Sequence, residues 1–268
     1  MTGDRCDRRT LAAVYGEGTE LYDEIWSPVI LPPALSLLSR LDLADAHRVL
    51  DVGAGTGSLT PSLRRLAPTA HLVSIEPSQR MLRLADRVGE SSCVLGDATA
   101  VPVAAGQVDL VVLAYVLFHL LDPDVGMQEA GRVLRAGGQV GTVTWASERM
   151  PQAADVWNQV LERHNVPTLP EHGNDEGLDS EEAMGALIAR TGLEPVAVWI
   201  EPIDYTFKRD AFWRLRTGYG LSRARLDAVD SSTRMEVLAE ARQRLSGLER
   251  SDYRFQGEVV CSVSRRPG

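Results

Sequence analysis

The sequence predicts an α/β fold with a doubly wound, mostly parallel sheet, and three observations predict it. Strand-like and helix-like stretches alternate between residues 47 and 145, a spacing that calls for βαβ units. One of these strands, Val108 to Ala114 (V-D-L-V-V-L-A), is a nearly unbroken apolar run, as suits a strand covered on both faces. A Gly-rich turn, Gly53-Ala54-Gly55-Thr56-Gly57, stands between the first buried strand and its helix, where glycine lets the backbone turn sharply.

Taken in order, residues 1–14 read as a loose tail leading into a helix. Pro32-Pro33 opens a helix through Ala34, Leu35, Leu37, Leu38 and Leu41, since proline suits a first helical turn. His47 to Val52 is a buried strand, and after the glycines a helix runs through Leu59, Leu63 and Leu66. His71 to Glu76 is the second strand, Ser78 caps a helix from Gln79 to Val88, and Ser92 to Leu95 is a short third strand. Val108 to Ala114 is the fourth. Asp122 as N-cap and Pro123 at the first helical position open a helix to Leu134, which Gly137-Gly138 ends. Gln139 to Trp145 is the fifth strand. Residues 150–192 hold two helices and a Gly/Pro/acidic loop, Pro167 to Gly177, and Leu193 to Ile200 is the sixth strand. Asp210 to Tyr219 and Leu221 to Leu245 are helical, with a capping box at Thr233-x-x-Glu236, and Tyr253 to Ser264 is the last strand. No linker separates a second domain. A single domain over 1–268 is expected, the helices between strands six and seven forming a cap over the sheet edge.

The bulk properties bound the function. Hydrophobic residues make up 44% and charged residues 24% of the 268, ordinary for a globular chain with a full core. No apolar run reaches the roughly 18 residues that a membrane span needs, and Met1 to Thr10 lacks the apolar stretch of a secretory signal, so a cytoplasmic location is expected. The net charge of -9 and the lack of a Lys/Arg-rich block weigh against nucleic acid as a partner. Cys6, Cys93 and Cys261 are far apart, without metal-ligand spacing, and read as reduced thiols, the last two on strands.

The chemistry begins at the glycines. The second strand ends in Glu76, 25 residues after Asp51, and a carboxylate at that tip suits a ribose with two free hydroxyls. Dinucleotides need G-x-G-x-x-G, with the pyrophosphate on a helix N-terminus. Here the third glycine of that pattern would fall on Ser58, and the spacing is G-x-G-x-G. Asp51 lies inside the motif, where a carboxylate repels a pyrophosphate but can hold an ammonium, directly or through water. S-adenosylmethionine (SAM) carries an ammonium and a sulfonium and no phosphate, so the charge argument favours SAM over a nicotinamide dinucleotide.

From Tyr15 to Trp145 the chain resembles the class I SAM-dependent methyltransferases, in the group that includes the ubiquinone/menaquinone C-methyltransferases. The resemblance rests on V-L-D-V-G-A-G-T-G at 49–57, S-I-E-P-S at 74–78 with Met81, G-D-A at 96–98, V-D-L-V-V-L-A-Y-V-L-F-H-L at 108–120 and E-A-G-R-V-L-R-A-G-G at 129–138. It covers about half the chain and fades after Trp145. It implies a Rossmann-like seven-stranded sheet whose last strand is antiparallel, with N-terminal lid helices over 1–45, a SAM-binding core over 46–146, the remaining core elements and helical cap over 147–250, and the last strand over 251–268. It further implies that Gly53, Ala54 and Gly55 line the methionine part of SAM and that Glu76 holds the ribose hydroxyls. Pro77 and Met81 would pack on the adenine, Asp97 would accept from its amino group with Ala98 alongside, and Ala114 would face the methionyl group. In resembling enzymes the N-terminal helices close over the cofactor, which points to Tyr15 and to Tyr22 beside Asp23. Tyr115 and Trp145, at the ends of strands four and five, join them as substrate or lid residues.

Methyl transfer from a sulfonium is a direct displacement, so alignment and exclusion of water are the main tasks and a base is needed only if the nucleophile carries a proton. His119, just past strand four, fits either a general base or a core histidine satisfied by backbone. Trp145, Trp157, Phe207, Phe212, Trp213 and Tyr219 either line an apolar acceptor pocket or form helix core. The N-P-P-[YF] signature of amide and nucleobase N-methyltransferases is absent, and Leu113-Ala114-Tyr115 lacks the aspartate of metal-dependent catechol O-methyltransferases. The expectation is therefore a metal-independent enzyme that converts SAM to S-adenosylhomocysteine (SAH) while methylating O, N, C or S of a small-molecule acceptor, in a secondary-metabolite pathway. A SAM-binding cyclase or pericyclase on the same fold, and an NAD-binding oxidoreductase, stay open as alternatives. Oligomeric state is open too, a homodimer being one assembly this reading admits.

Overall fold

The computed structural model describes residues 18–169 and 177–268. Tyr15, Cys6, the N-terminal tail and the acidic run Glu171 to Glu176 lie outside the described residues.

Seven strands form one sheet: β1 (Arg48–Val52), β2 (His71–Glu76), β3 (Ser92–Leu95), β4 (Val108–Ala114), β5 (Leu134–Arg149), β6 (Glu194–Thr206) and β7 (Arg254–Arg265), in the order β3-β2-β1-β4-β5-β7-β6. The pairs β1–β2, β1–β4, β2–β3 and β4–β5 are parallel. β7 is antiparallel, as expected: Gly137 N–H donates to the Arg266 carbonyl and Arg266 N–H donates back to Gly138, both at 2.9 Å. Farther along, the hydroxyls of Thr142 and Ser262 meet at 2.6 Å in the same register. The strand order reverses between β1 and β4, the switch point at which open α/β sheets bind ligands.

The described helices are α1 (Ser27–Leu38), α2 (Thr60–Leu66), α3 (Gln79–Val88), α4 (Pro123–Val133), α5 (Gln152–Arg163), α6 (Glu181–Arg190), α7 (Arg209–Gly218), α8 (Gly220–Asp227) and α9 (Ser231–Ser246). The apolar run of β4 is buried on both faces, as its composition predicts. On one face Leu37 of α1 lies so close to β5 that a Cβ on Gly141 would stand 3.0 Å from its methyl group. Within the main core cluster, Met127, Ala130 and Val133 of α4 and Met184, Leu187 and Ile188 of α6 pack with β-strand residues. The Ser78 and Asp122 caps form as read, the first accepting from Met81 N–H and the second from Asp124 N–H.

Three expectations need correction. α1 begins at Ser27, after a helical turn Thr19–Leu21 and a π-helical turn Tyr22–Trp26, so Pro32 and Pro33 lie inside it. The missing proline N–H groups are tolerated there because Val29, Ile30, Ala34, Leu37 and Leu38 are all buried. Gly137-Gly138 does not end a helix: α4 stops at Val133 and the glycines belong to β5. The β4–β5 register jumps between Val108↔Leu134 and Leu110↔Gln139, leaving an irregularity in which Gly137 takes φ 75 and a Cβ on Gly138 would stand 2.9 Å from the Asp109 carbonyl oxygen. The stretch 221–245 breaks into α8 and α9, and Asp230, not Thr233, is the cap. Its carboxylate accepts from Ser232 and Thr233 N–H, and the Thr233 hydroxyl is spent on the same carboxylate.

By its internal contacts the chain divides into two compact units interleaved in sequence. The described residues of the first are 18–29, 148–169 and 203–257; those of the second are 30–147, 177–202 and 258–268. The first is rich in aromatic contacts. Trp26 stacks on Phe207 at 6.0 Å, and Phe212 meets Phe207 and Tyr253 edge-on. The second holds the parallel strands and the Gly-rich turn.

Candidate functional site

All the cofactor-binding candidates lie in the second unit, at or just past the C-terminal ends of parallel strands, with Met81 in the first turn of α3. Register sets this up: Val52 pairs with Ile75, Glu76 with Leu95 and Ala114 with Val143, so the tips of β1 to β5 share one edge.

The glycines of the turn serve different ends. Gly53, Gly55 and Gly57 all have positive φ, at 75, 57 and 81°. A Cβ on Gly53 would stand 2.4 Å from Val116 Cγ2, and one on Gly57 2.9 Å from the Ala85 backbone, so packing requires both. A Cβ on Gly55 would meet nothing nearer than Met81 Sδ at 4.0 Å; this glycine leaves the face of the turn clear. The turn is pinned to β2 by Gly53 and Ala54 N–H, which both donate to the Ile75 carbonyl.

Glu76, 6% exposed, is held by two backbone donors. Gly55 N–H donates to Oε2 and Ser78 N–H to Oε1, each at 2.9 Å. Each oxygen keeps a lone pair for a further donor. Asp51, 4% exposed, has an enclosed Oδ2 with no hydrogen-bond partner. Burial, with Glu76 adding to it, pushes the Asp51 carboxyl up to about 7. Burial raises Glu76 as well, against the lowering effect of its two backbone donors. Two carboxyls are thus enclosed side by side, an arrangement that favours a ligand bringing hydroxyl donors and positive charge.

Met81 and Ala98 are buried and Pro77 is exposed. Asp97 Oδ1 accepts from the Thr99 N–H at 2.7 Å and from the Thr99 hydroxyl at 2.5 Å, the bonding of an Asx turn. Ala114 ends β4, and Tyr115 then takes φ 59, unusual for a side chain of that size. Its N–H donates to Val143, and its ring lies 5.2 Å from that of Trp145. His119 closes the 3-10 turn Leu117–His119 and is half-buried, its ring against Phe118. Tyr22 belongs to the first unit and packs on Tyr219 at 5.5 Å.

The sequence reading missed the clamp on the Asp97 loop. Glu129 accepts from Val101 N–H, while Arg132 donates to the Val101 and Val103 carbonyls and pairs with Glu129. Both sit in the E-A-G-R stretch of α4, quoted as a motif without a role. Their i, i+3 spacing was the signal available. Val116 as the wall behind Gly53 left no such signal. Among the described residues, no group of three or more His, Cys, Asp or Glu side chains gathers to hold a metal ion.

Known proteins resemble this chain in sequence and in fold. Residues 50–141 match a family described as "Methyltransferase domain". An uncharacterized methyltransferase of Mycobacterium tuberculosis is 29% identical over 249 residues, covering 91% of this chain and 86% of that protein. The ubiquinone/menaquinone biosynthesis C-methyltransferase of Syntrophotalea carbinolica is 29% identical over 140 residues, 50% of this chain and 59% of that one. Domain match, relatives and fold together support a class I SAM-dependent methyltransferase. In fold, this methyltransferase is similar to the solved [4+2]-cyclase SpnF, with a TM-score of 0.60 at 17% identity over 98% of both chains. Among its described residues no helix is long and apolar enough to cross a membrane.

Proposed function

We propose that this methyltransferase binds SAM at the tips of β1 to β4 and transfers its methyl group to a small-molecule acceptor without a metal ion. The observation that carries the reading is the enclosed Asp51–Glu76 pair beside the open face of Gly55. These residues fit SAM: Glu76 keeps two lone pairs for ribose hydroxyls, and the partnerless Asp51 Oδ2 suits an ammonium, directly or through water. Gly53, Ala54, Gly55 and Ala114 would take the methionyl part, Pro77, Met81 and Ala98 the adenine, and Asp97 its amino group. SAM when bound supplies an activated methyl on a sulfonium. The chain's own work is to orient, through the backbone-held Glu76 carboxylate, and to exclude water, for which Tyr15, Tyr22, Tyr115 and Trp145 are the candidate groups. His119 is the candidate base for an acceptor that must lose a proton.

Calorimetric titration with SAM, SAH and NADH tests the cofactor. SAM and SAH should bind and NADH should not, and Glu76→Ala should lose about 1–3 kcal/mol, roughly 5- to 150-fold in affinity. Binding of NADH without SAM would return the oxidoreductase reading. Acceptor screening by product mass separates methyl transfer, which adds one CH₂ unit, from a SAM-assisted cyclisation, which adds none. Turnover should be insensitive to EDTA; a loss restored by a divalent cation would overturn metal independence.

A further inference from the structure

The loop that carries Asp97 is fixed at both ends by groups outside it. At its start Gly96 N–H donates to the Glu76 carbonyl at 3.3 Å. At its end α4 takes hold of Val101, which is buried. Glu129 Oε2 accepts from Val101 N–H, and Arg132 Nη2 donates to the Val101 carbonyl, each at 2.9 Å. Arg132 Nη1 reaches on to the Val103 carbonyl, also at 2.9 Å. The two side chains brace each other: Arg132 Nε donates to Glu129 Oε1 at 2.7 Å and Nη2 to Oε2 at 2.9 Å. The Arg132 guanidinium holds the Glu129 carboxyl below the usual carboxylate range, against burial and the nearby Asp97 charge.

Between these anchors the loop is short and folded back on itself. Asp97 makes the Asx turn to Thr99 and a bridge with Ala100, and Ala98 is buried. A Cβ on Gly96 would stand 3.3 Å from Pro102 Cδ, so the residue after Val101 packs against the residue before Asp97. A shift of Val101 therefore moves Pro102 and, with it, the backbone at Gly96–Asp97. The helix is held in turn, because Met127, Ala130 and Val133 of α4 are fully enclosed in the main core cluster. Charged side chains on a packed helix, bonded to a loop backbone, can fix a binding group to within about 0.5 Å.

We propose that Glu129 and Arg132 are positioning residues for cofactor selectivity, holding Asp97 where its carboxylate distinguishes adenine from a base that lacks the exocyclic amino group. The clamp stands on the hydrogen bonds of the loop; its part in selectivity rests on the SAM site proposed above. An amino group donates to a carboxylate, whereas a carbonyl at the same ring position sets an acceptor against it. That mismatch rejects the wrong base only while the carboxylate is kept from turning aside. Selectivity of this kind depends on how firmly the loop is held, and the clamp is what holds it.

The test is calorimetry on the full-length protein with SAH and with S-inosylhomocysteine, its analogue bearing a carbonyl in place of the amino group. The wild type should bind SAH roughly tenfold or more tightly than the analogue. Glu129→Ala should weaken SAH about tenfold and the analogue far less, leaving the two nearly equal. Glu129→Gln keeps an acceptor for Val101 N–H but loses the charge, and should retain part of the preference; Arg132→Met should lose part of it. The Val101 amide should exchange with deuterium faster in Glu129→Ala than in the wild type. A merely structural role would weaken both ligands alike. An unchanged preference in Glu129→Ala, or a Val101 amide as protected as before, would therefore overturn the proposal. If Glu129→Ala does not fold, Glu129→Gln and Arg132→Met carry the test, and a wild-type preference in both would overturn it. SAH bound without preference over the analogue by the wild type would overturn it too, by removing Asp97 as the amino acceptor, while leaving the SAM site standing. Failure of SAH to bind at all would instead sink the SAM reading, and this proposal with it.

Discussion

At the scale of single residues, the carboxyl pair shows how a binding group is held at the expense of the free protein. Asp51 has an enclosed Oδ2 without a partner, and Glu76 is enclosed with two backbone donors. The folded-state value of Asp51, about 7, lies above its ordinary one, so the fold favours the protonated form. The stability this contributes is present at acid pH and is lost as pH rises through about 7; Glu76, also raised, adds in the same sense. Melting of the ligand-free protein should therefore decline between about pH 5 and about pH 8, and Asp51→Asn should flatten much of the decline while weakening SAH binding. A variant with the wild-type slope would show that Asp51 is not the group that titrates. Both residues could be picked from the sequence, because a carboxylate inside a Gly-rich turn and another at a strand tip are local patterns. Their mutual burial could not, since it comes from the β1–β2 register that sets Asp51 opposite Ser74, two residues before Glu76.

At the scale of elements, the turn after β1 separates packing from binding. Gly57→Ala should cost about 1–3 kcal/mol in urea denaturation, because the new Cβ meets the Ala85 backbone, which cannot move aside. Gly53→Ala should cost a similar amount, part of it recovered by Val116→Ala, since there the obstacle is a side-chain methyl. Gly55→Ala should lose about 1 kcal/mol for its positive φ but should lower cofactor affinity most, having filled the clear face. If all three changed stability and affinity in parallel, this division of roles would be wrong. Local signals placed most elements well: β2, β3, β4 and α3 match their expected bounds. The misses arise where tertiary contacts outweighed local preference. The prolines of α1 are carried by buried neighbours, and Gly137-Gly138 answers a register jump in β5 rather than a helix end. Asp230 caps α9 because its carboxylate reaches two free N–H groups, which spacing at Thr233 did not reveal.

At the scale of the whole molecule, ligand binding and stability are linked. Saturation with SAH at about a hundred times its dissociation constant should raise unfolding free energy by about 2.7 kcal/mol, and NADH at the same concentration should leave it unchanged. A rise with NADH instead would remove the cofactor argument. The sequence by itself determined the α/β class, the order of elements and the cofactor candidates, because hydrophobic period, capping chemistry and glycine spacing act within a few residues of one another. Only the tertiary structure decided the division into two units, the Glu129–Arg132 clamp on the Asp97 loop and the enclosure of the Asp51 and Glu76 carboxyls. Each of these depends on which distant segments meet: a charge is costly, paired or poised for a ligand according to its surroundings, and those surroundings are drawn from residues far apart along the chain.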